Sequence, residues 1–384
     1  MASLERRAKR LLIRGVAPIF PPRRETEAGA GLTRSPRRIA LLRVDDRLGN
    51  LLLLTPALDW IARVRPDAEL GVVVSSAFAS LLANDPRIGR CIVLDKTAQK
   101  RAFPIFLADL ARVGSLRADA AIECSDRNAF SFSSALYALA TRAPRRIGFA
   151  NDLAARYLSE TVEPGPPGHA ARDPVRLAAA LLGIPAPPLQ DCRLSIHLPA
   201  PSPAWERWLA GATEGAEGRI VGLHVGGRGR KRWPVDRFAT LAHALLDDGL
   251  RPWIFRGPLE QEDGETGDPF RDVLARGAVQ VPRSGIVPIG QALARCSLVV
   301  APDTGPMHLA CAVGTPTLAL FLDSQAERYH PIGPEHRWID ARGRALGVDE
   351  VRAAAAEMGA AEATDTTGGR EIRALGADGK ASRR

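Results

Sequence analysis

The chain has 384 residues, of which 46% are hydrophobic and 25% are charged, and its formal net charge is +9. This composition is typical of a soluble protein of about two globular domains, and no apolar run is long enough to span a bilayer. The five cysteines show neither a CxxC motif nor the Cys/His spacing of a metal site, so we expect reduced core thiols in a cytoplasmic protein, without a bound metal.

A basic arm and linker are predicted for residues 1–37. Residues 1–38 contain ten Lys and Arg against three Glu, and therefore carry seven of the nine net positive charges. Apolar and basic residues are interspersed in residues 1–24, which would let this segment lie on an anionic membrane surface as an amphipathic helix. A flexible arm without a partner is the alternative. The arm lacks the apolar core of a signal peptide, and its single aromatic residue does not favour nucleic-acid binding.

An alternation of strands and helices predicts an N-terminal domain over residues 38–190. The predicted strands are Arg38–Val44, Glu69–Val74, Arg90–Leu94, Ala118–Cys124 and Arg146–Phe149. The predicted helices are Leu48–Arg63, Phe78–Ala83, Ile105–Val113 and Pro174–Leu182. Because strands that alternate with helices pair in parallel, we expect a doubly wound α/β sheet. A proline-rich linker, residues 191–217, follows this domain.

The same alternation returns in residues 218–345 and predicts a second domain of this kind. Its strands are predicted at Arg219–Val225, Pro252–Phe255, from Leu298 onward, and at Thr317–Phe321, which is expected to close the sheet. Its helices are predicted at Val235–Asp248, Asp268–Arg276, Ile289–Arg295 and from Met307 onward. Residues 346–384 would form a short helix, Val351–Met358, and a disordered tail from residue 360. Two doubly wound domains facing a central cleft place a ligand between them.

The most informative motif runs from Asp303 to Leu309, between a buried strand and a short helix. The first turn of a helix has unpaired N–H groups and the positive end of the helix dipole, so it attracts anions. The motif therefore predicts a site for a nucleotide diphosphate and its ribose. The predicted contacts are Asp303, Thr304, Gly305, Pro306, Met307 and His308. A turn that only caps the helix is the alternative, since Asp is common at helix starts.

A glycine-rich loop follows the first strand of the second domain. Gly226 and Gly227 would let the backbone approach a ligand closely. Lys231 comes a few residues later and can reach a phosphate as a point charge. The loop is therefore a second candidate for binding the donor and for stabilising negative charge during a reaction.

Three regions, taken in chain order, resemble the signature regions of glycosyltransferase family 9, the heptosyltransferases of lipopolysaccharide assembly. They read RVDDRLGN from Arg43 to Asn50, HVGG from His224 to Gly227 with KRWP from Lys231, and DTGPMHL from Asp303. The resemblance covers about residues 38–345. It implies the GT-B fold, with two Rossmann-like domains, and an inverting glycosyl transfer that needs no metal or cofactor.

The donor implied by this resemblance is a nucleotide-diphosphate sugar, with ADP-heptose suggested. Its diphosphate and ribose would lie on the Asp303 turn, and Glu260, in the loop after Gly257, would bind the ribose hydroxyls. The implied acceptor is a saccharide, lipid-linked at the inner face of the inner membrane. The protein would therefore be cytoplasmic and peripheral to that membrane.

The first region departs from the family pattern at Asn50. Family members usually have Asp at this position, where it is taken as the general base, and an amide cannot accept a proton at useful pH. Asp45 or Asp46 can replace it, and Asp126, in another loop facing the cleft, is a further alternative. If none does, the chain is a catalytically silent protein that binds the nucleotide sugar. A nucleotide-sugar epimerase is a third and weaker hypothesis.

The acceptor is expected near the same loop. Gly49 would let the acceptor approach the backbone, and Arg47 would contact its acidic groups. Arg43 would do the same, or pair with a neighbouring Asp as part of the structure. Asp126 and His169 are further candidates for acceptor contact.

Overall fold

The computed structural model describes residues 35–127, 131–216, 218–257 and 268–365, with side chains up to residue 359. These residues contain two six-stranded sheets. The first sheet comprises β1 (Arg38–Arg43), β2 (Glu69–Ser75), β3 (Arg90–Leu94), β4 (Ala120–Glu123), β5 (Arg145–Phe149) and β6 (Glu160–Val162). The second comprises β7 (Ile220–His224), β8 (Arg251–Phe255), β9 (Val279–Gln280), β10 (Leu298–Pro302), β11 (Thr317–Phe321) and β12 (Arg337–Asp340).

Helices connect the strands in both halves. In the first half they are α1 (Leu48–Leu52), α2 (Thr55–Val64), α3 (Lys96–Arg101), α4 (Phe103–Gly114), α5 (Phe132–Ala140) and α6 (Arg172–Leu182). From the linker onward they are α7 (Pro203–Thr213), α8 (Val235–Asp247), α9 (Arg271–Ala275), α10 (Ile286–Leu293), α11 (Gly305–Ala312), α12 (Ala326–Tyr329) and α13 (Val348–Asp365). None of the helices in this part of the chain combines the length and apolarity needed to cross a membrane.

Both sheets are parallel and share one topology. The strand order is β3-β2-β1-β4-β5-β6 in the first sheet and β12-β11-β10-β7-β8-β9 in the second. Counted from the first strand of each half, both orders are 3-2-1-4-5-6. The order reverses between β1 and β4 and between β7 and β10, and ligands of such sheets bind beside the carboxyl ends at this point. The prediction of a GT-B fold built from two Rossmann-like domains is confirmed.

Several details of the sequence prediction were wrong. The helix predicted over Phe78–Ala83 is only a 3₁₀ turn, Ala79–Leu81. The helix predicted over Leu48–Arg63 is two helices, because the backbone turns at residues 53–54 and α2 starts afresh with Pro56 in its first turn, where no N–H is required. The second sheet is closed by β12 and not by Thr317–Phe321. The helix predicted over Val351–Met358 is longer, so the first residues assigned to the tail continue α13.

The linker contains a helix that the sequence analysis did not predict. Ser202 caps α7 by accepting a hydrogen bond from the backbone N–H of Trp205. Trp205 stacks on Trp208 with ring centroids 4.5 Å apart, and Trp208 lies 5.5 Å from Trp253 of β8. The linker is therefore fastened to the second domain.

The apolar core continues from one domain into the other. The largest cluster contains residues of α1, α2 and α6 together with Met307 and Leu309 of α11. At this seam α1 and α11 touch through two glycines. A methyl carbon at Gly305 would lie 2.7 Å from Leu48 Cβ, and one at Gly49 would lie 2.9 Å from His308 Cδ2. Only glycine lets the helices approach this closely, so the first and third signature regions are in direct contact.

Candidate functional site

The turn after β10 carries a buried acidic residue. Asp303 is 8% exposed, and its backbone N–H donates to the carbonyl of Leu320 (3.1 Å), which fixes the turn to β11. The Nζ atom of Lys231 donates to Asp303 Oδ2 at 2.7 Å. The predicted donor residues of two separate loops thus meet at one point.

The glycine loop after β7 presents Lys231 on a single 3₁₀ turn, Gly229–Lys231. A methyl carbon at Gly227 would lie 3.0 Å from the Cα of Arg232, so the loop folds back on itself only without a side chain there. Behind the loop, Trp233 is fully buried, and its indole N–H donates to the carbonyl of Leu346 (3.1 Å). The loop is therefore anchored at its base, while the Lys231 side chain is 41% exposed.

The first turn of α11 has an uncapped N-terminus. Thr304 occupies the cap position, but no side chain caps the helix, and its hydroxyl donates to the carbonyl of Pro302 (3.1 Å). Pro306 has no N–H, so the N–H groups of Gly305 and Met307 remain at the mouth of the helix. The Met307 side chain is fully buried in the core, which leaves only its backbone for an anion. An uncapped helix mouth beside an ammonium group suits a diphosphate.

His308 lies where the two domains meet. It is 4% exposed, and its Nε2 atom is 3.8 Å from Asp303 Oδ1. Burial lowers the pKa of His308, the charge of Asp303 acts in the opposite direction, and Lys231 lowers the pKa further. A neutral imidazole is therefore packed between the aspartate turn and Gly49 of the other domain.

Asp45 organises the loop after β1. Its carboxylate pairs with Arg43 Nε (2.7 Å) and accepts hydrogen bonds from the Arg47 backbone (3.2 Å) and from Asn50 Nδ2 (2.8 Å). The guanidinium of Arg43, which is buried, also donates to the carbonyl of Cys124 beyond β4. Arg43 therefore pairs with a neighbouring Asp, as one of its two sequence interpretations expects. The amide of Asn50 is hydrogen-bonded to the carboxylate of the same Asp45.

Asp46 is the more accessible carboxylate of this loop. Its side chain is 54% exposed, accepts a hydrogen bond from the hydroxyl of Ser75 and lies 3.9 Å from Lys96 Nζ. Ser75 ends β2 and Lys96 follows β3, so three neighbouring strand ends converge on Asp46. No sequence motif marks Ser75 or Lys96. Their one available signal is the predicted parallel sheet, because the carboxyl ends of adjacent strands share an edge.

A second seam between the domains involves Asp126 and His169. The guanidinium of Arg328, in α12, donates to Asp173 (3.0 Å) and lies 3.9 Å from Asp126. His169 is buried, and its Nε2 donates to the carbonyl of His330 (2.8 Å) while its Nδ1 accepts from a backbone N–H. Burial lowers the pKa of His169 to about 3. His169 thus joins the two domains, Asp126 lies at the edge of this seam, and Arg328 is a further residue that the sequence did not reveal.

Glu260 lies outside the described residues, as do residues 1–34 of the basic arm. The remaining predicted residues form two groups at facing strand ends. Gly226, Gly227, Lys231, Asp303 and the first turn of α11 make up the first group. Asp45, Asp46, Arg47 and Asn50 make up the second, and the contact of Gly49 with His308 joins the two. One group can hold an anion, and the other offers a carboxylate that can accept a proton.

The model of the family described as glycosyltransferase family 9 (heptosyltransferase) matches residues 111–346. Lipopolysaccharide heptosyltransferase 2 of Escherichia coli strain K12 is 28% identical over 122 residues, which cover 28% of this chain and 32% of that protein. The matched segment thus spans about a third of the length of this relative.

Two solved structures share the fold over most of the chain. A glycosyl transferase family 9 protein from Veillonella parvula superposes with a TM-score of 0.70 at 19% identity, covering 85% of this chain and 97% of its own. The Escherichia coli protein described as ADP-heptose lps heptosyltransferase II gives a TM-score of 0.66 at 18% identity, covering 85% and 99%.

Proposed function

Since this chain belongs to glycosyltransferase family 9 (heptosyltransferase), we propose that it transfers a sugar from a nucleotide-diphosphate donor to a hydroxyl group of a saccharide acceptor. The observation that carries this proposal is the Lys231–Asp303 pair at the mouth of α11. His308 of the same helix contacts Gly49, which lies in the segment that follows Asp46. An anion site and a half-exposed carboxylate on opposite sides of one seam are what a transfer between two bound substrates needs.

The donor diphosphate would lie against the N–H groups of Gly305 and Met307, with Lys231 above it. As the bond between the anomeric carbon and the diphosphate breaks, negative charge grows on the departing phosphate. Fixed N–H dipoles and the ammonium group stabilise that charge without reorganising. Asp303 holds the ammonium in place in the absence of the donor's phosphates, and the neutral His308 adds no charge beneath the turn.

Asp46 would be the general base. Asp45 already forms an ion pair with Arg43 and accepts two hydrogen bonds, so its carboxylate is committed to holding the loop. Asp46 has one hydroxyl donor, Ser75, and half of its side chain reaches solvent. It would take the proton from the acceptor hydroxyl as that oxygen attacks the anomeric carbon from the face opposite the diphosphate. The configuration at the anomeric carbon would therefore be inverted, and no metal would be required.

The identities of the substrates are inferred from the names of the similar proteins, and both substrates would bind at the site described above. The names of the similar proteins specify heptose transfer, lipopolysaccharide and, in one case, ADP-heptose. We take ADP-heptose as the donor and a lipopolysaccharide-type core saccharide as the acceptor. The enzyme would act at the cytoplasmic face of the membrane on which that acceptor is assembled.

The decisive experiment compares the variants Asp46→Asn and Asp126→Asn in an assay with ADP-heptose and a deacylated core saccharide. Asp126 is a second exposed carboxylate and lies near the other seam between the domains. Loss of the general base should reduce turnover by roughly 10²–10⁴-fold while leaving the affinity for ADP unchanged. Asp126→Asn, which alters the seam at Arg328, should retain turnover within a few-fold. The product of the wild type should have inverted anomeric configuration by NMR, and turnover should persist in EDTA.

Equal turnover in Asp46→Asn and the wild type would remove Asp46 from the mechanism. If the wild type binds ADP-heptose but transfers sugar to no acceptor, the silent binding protein suggested by Asn50 is correct. If it does not bind ADP or ADP-heptose, the donor site itself is wrong.

A further inference from the structure

One helix of the N-terminal domain exposes several large apolar side chains to solvent. In the described part of the chain, four large hydrophobic side chains are exposed, and three of them lie within residues 103–107. Phe103 is 66% exposed, Ile105 37% and Leu107 49%. They belong to α4, whose exposed positions also include Pro104, Ala108 and Ala111.

The same helix buries its acidic residue. Asp109 is 3% exposed and accepts hydrogen bonds from Gln99 Nε2 (2.6 Å) and Arg112 Nη1 (2.8 Å). On its inner side, Phe106 packs edge-on against Tyr137 with ring centroids 5.9 Å apart. A surface helix ordinarily exposes charge and buries apolar groups. Here α4 is apolar on both sides, because Phe106 and Val113 pack into the core while Phe103 and Leu107 face outward. An outward apolar side suits an apolar medium outside the protein.

The helix before it supplies positive charge at the edge of this surface. α3 reads KTAQKR, and residues 96–108 contain Lys96, Lys100 and Arg101 but no acidic residue. Lys100 and Arg101 are exposed and make no ion pair within the described residues. Apolar side chains bordered by unpaired cations fit the interface of an anionic bilayer. A second copy of this chain fits poorly, because a symmetric contact would bring these cations against each other.

We propose that the surface formed by residues 96–107 docks on an anionic lipid membrane, with Phe103, Ile105 and Leu107 inserted below the headgroups. The position of this surface suggests what docking would do for the reaction. Lys96 begins α3 and lies 3.9 Å from Asp46, so the membrane-facing segment starts beside the proposed general base. Docking there would present a lipid-linked acceptor to Asp46 without lifting its lipid from the bilayer. This purpose rests on the proposed function, whereas docking itself does not.

The test measures co-sedimentation of the full chain with vesicles of phosphatidylethanolamine and phosphatidylglycerol, and with neutral phosphatidylcholine vesicles. The wild type should bind the anionic vesicles and bind the neutral ones much more weakly. The double variant Phe103→Ser/Leu107→Ser should bind at least about tenfold more weakly, since two large apolar groups no longer enter the bilayer. Lys100→Glu/Arg101→Glu should also lose at least about tenfold, because each cation near an anionic surface contributes roughly fivefold.

The matched control is Trp338→Ser, which removes a similarly exposed aromatic side chain (46%) from β12 in the other domain. It should bind vesicles like the wild type. Calorimetry with ADP on every variant keeps the two proposals apart, because donor binding requires no membrane and vesicle binding requires no donor.

Three results would overturn membrane docking. These are a wild type that does not sediment with anionic vesicles, an apolar double variant that binds them as well as the wild type, and a solution dimer that dissociates in that double variant. The last would show that a second copy covers the surface. If the apolar variant does not fold, the charge variant on α3 decides the question alone.

Discussion

Replacing Lys231 with alanine perturbs the proposed donor site most directly. A hydrogen bond to a charged group contributes about 1.5–3 kcal/mol. The Lys231 side chain is 41% exposed, so solvent weakens its interaction with a phosphate and the lower half of that range applies. A loss of about 1.5–2 kcal/mol corresponds to roughly 10–30-fold weaker binding. We therefore expect the Kd for ADP to rise by that factor in Lys231→Ala.

Isothermal titration calorimetry with ADP measures this effect at low and high ionic strength. The difference between wild type and variant should shrink as salt increases, because a half-exposed charge is screened. Arg230→Ala is the matched control. Arg230 belongs to the same 3₁₀ turn, but its side chain is 87% exposed and lies 3.6 Å from Asp323 rather than Asp303. Its removal should change the Kd by less than about threefold.

A Kd for ADP that is the same in Lys231→Ala and wild type would refute the reasoning, provided that the variant is folded. Folding needs a separate check, because Asp303, with its side chain only 7% exposed, loses its ammonium partner. An unpaired buried carboxylate costs about 1–3 kcal/mol of stability. The double variant Lys231→Ala/Asp303→Asn should recover part of that loss, which a thermal unfolding curve would reveal.

Three further predictions concern the whole molecule. Gly305→Ala should lower the free energy of unfolding by about 1–3 kcal/mol in urea, because the added methyl group lies 2.7 Å from Leu48 Cβ; Gly211→Ala, in α7 with open space around it, should instead gain up to about 1 kcal/mol. Stability should fall from pH 7.5 to pH 5.5, because burial lowers the pKa of His169 to about 3 and only the unfolded chain takes up this proton. Between these two pH values the free energy of unfolding of His169→Asn should fall by about 1.4 kcal/mol less than that of the wild type. The same dependence of unfolding free energy on pH in both proteins would contradict this. Ellman's reagent should titrate one thiol, Cys91, in the native protein and five after denaturation, because the other four are buried.

Features that depend on neighbours in sequence could be predicted. The Asp303 turn combines an apolar strand, a short polar turn and a helix start within a dozen residues, and each part leaves a local pattern. The glycine loop before Lys231 is local in the same sense. No local pattern shows that Lys231 pairs with Asp303, because 72 residues separate them in the sequence.

The surroundings of the loop after β1 could not be predicted in this way. Ser75 and Lys96 meet Asp46 only because β1, β2 and β3 lie side by side in that order. Arg328 reaches Asp173 across 155 residues and between domains. The edge strand β12 was missed because its residues are largely exposed and lack the apolar run that identifies interior strands. The turn within the first predicted helix was missed because Leu53 and Leu54 are buried like their neighbours, so the apolar periodicity continues through it.

The reciprocal placement of Gly49 and Gly305 makes the two halves of this protein an interlocked pair. Each half offers a bare backbone to a bulky residue of the other, Leu48 against Gly305 and His308 against Gly49. A chimera that combines one half of this chain with the other half of a relative would keep this contact only if the residues at all four positions, 48, 49, 305 and 308, fit one another. Exchange of acceptor or donor preference by swapping halves should therefore succeed when these positions are transplanted together and fail when one side is left behind.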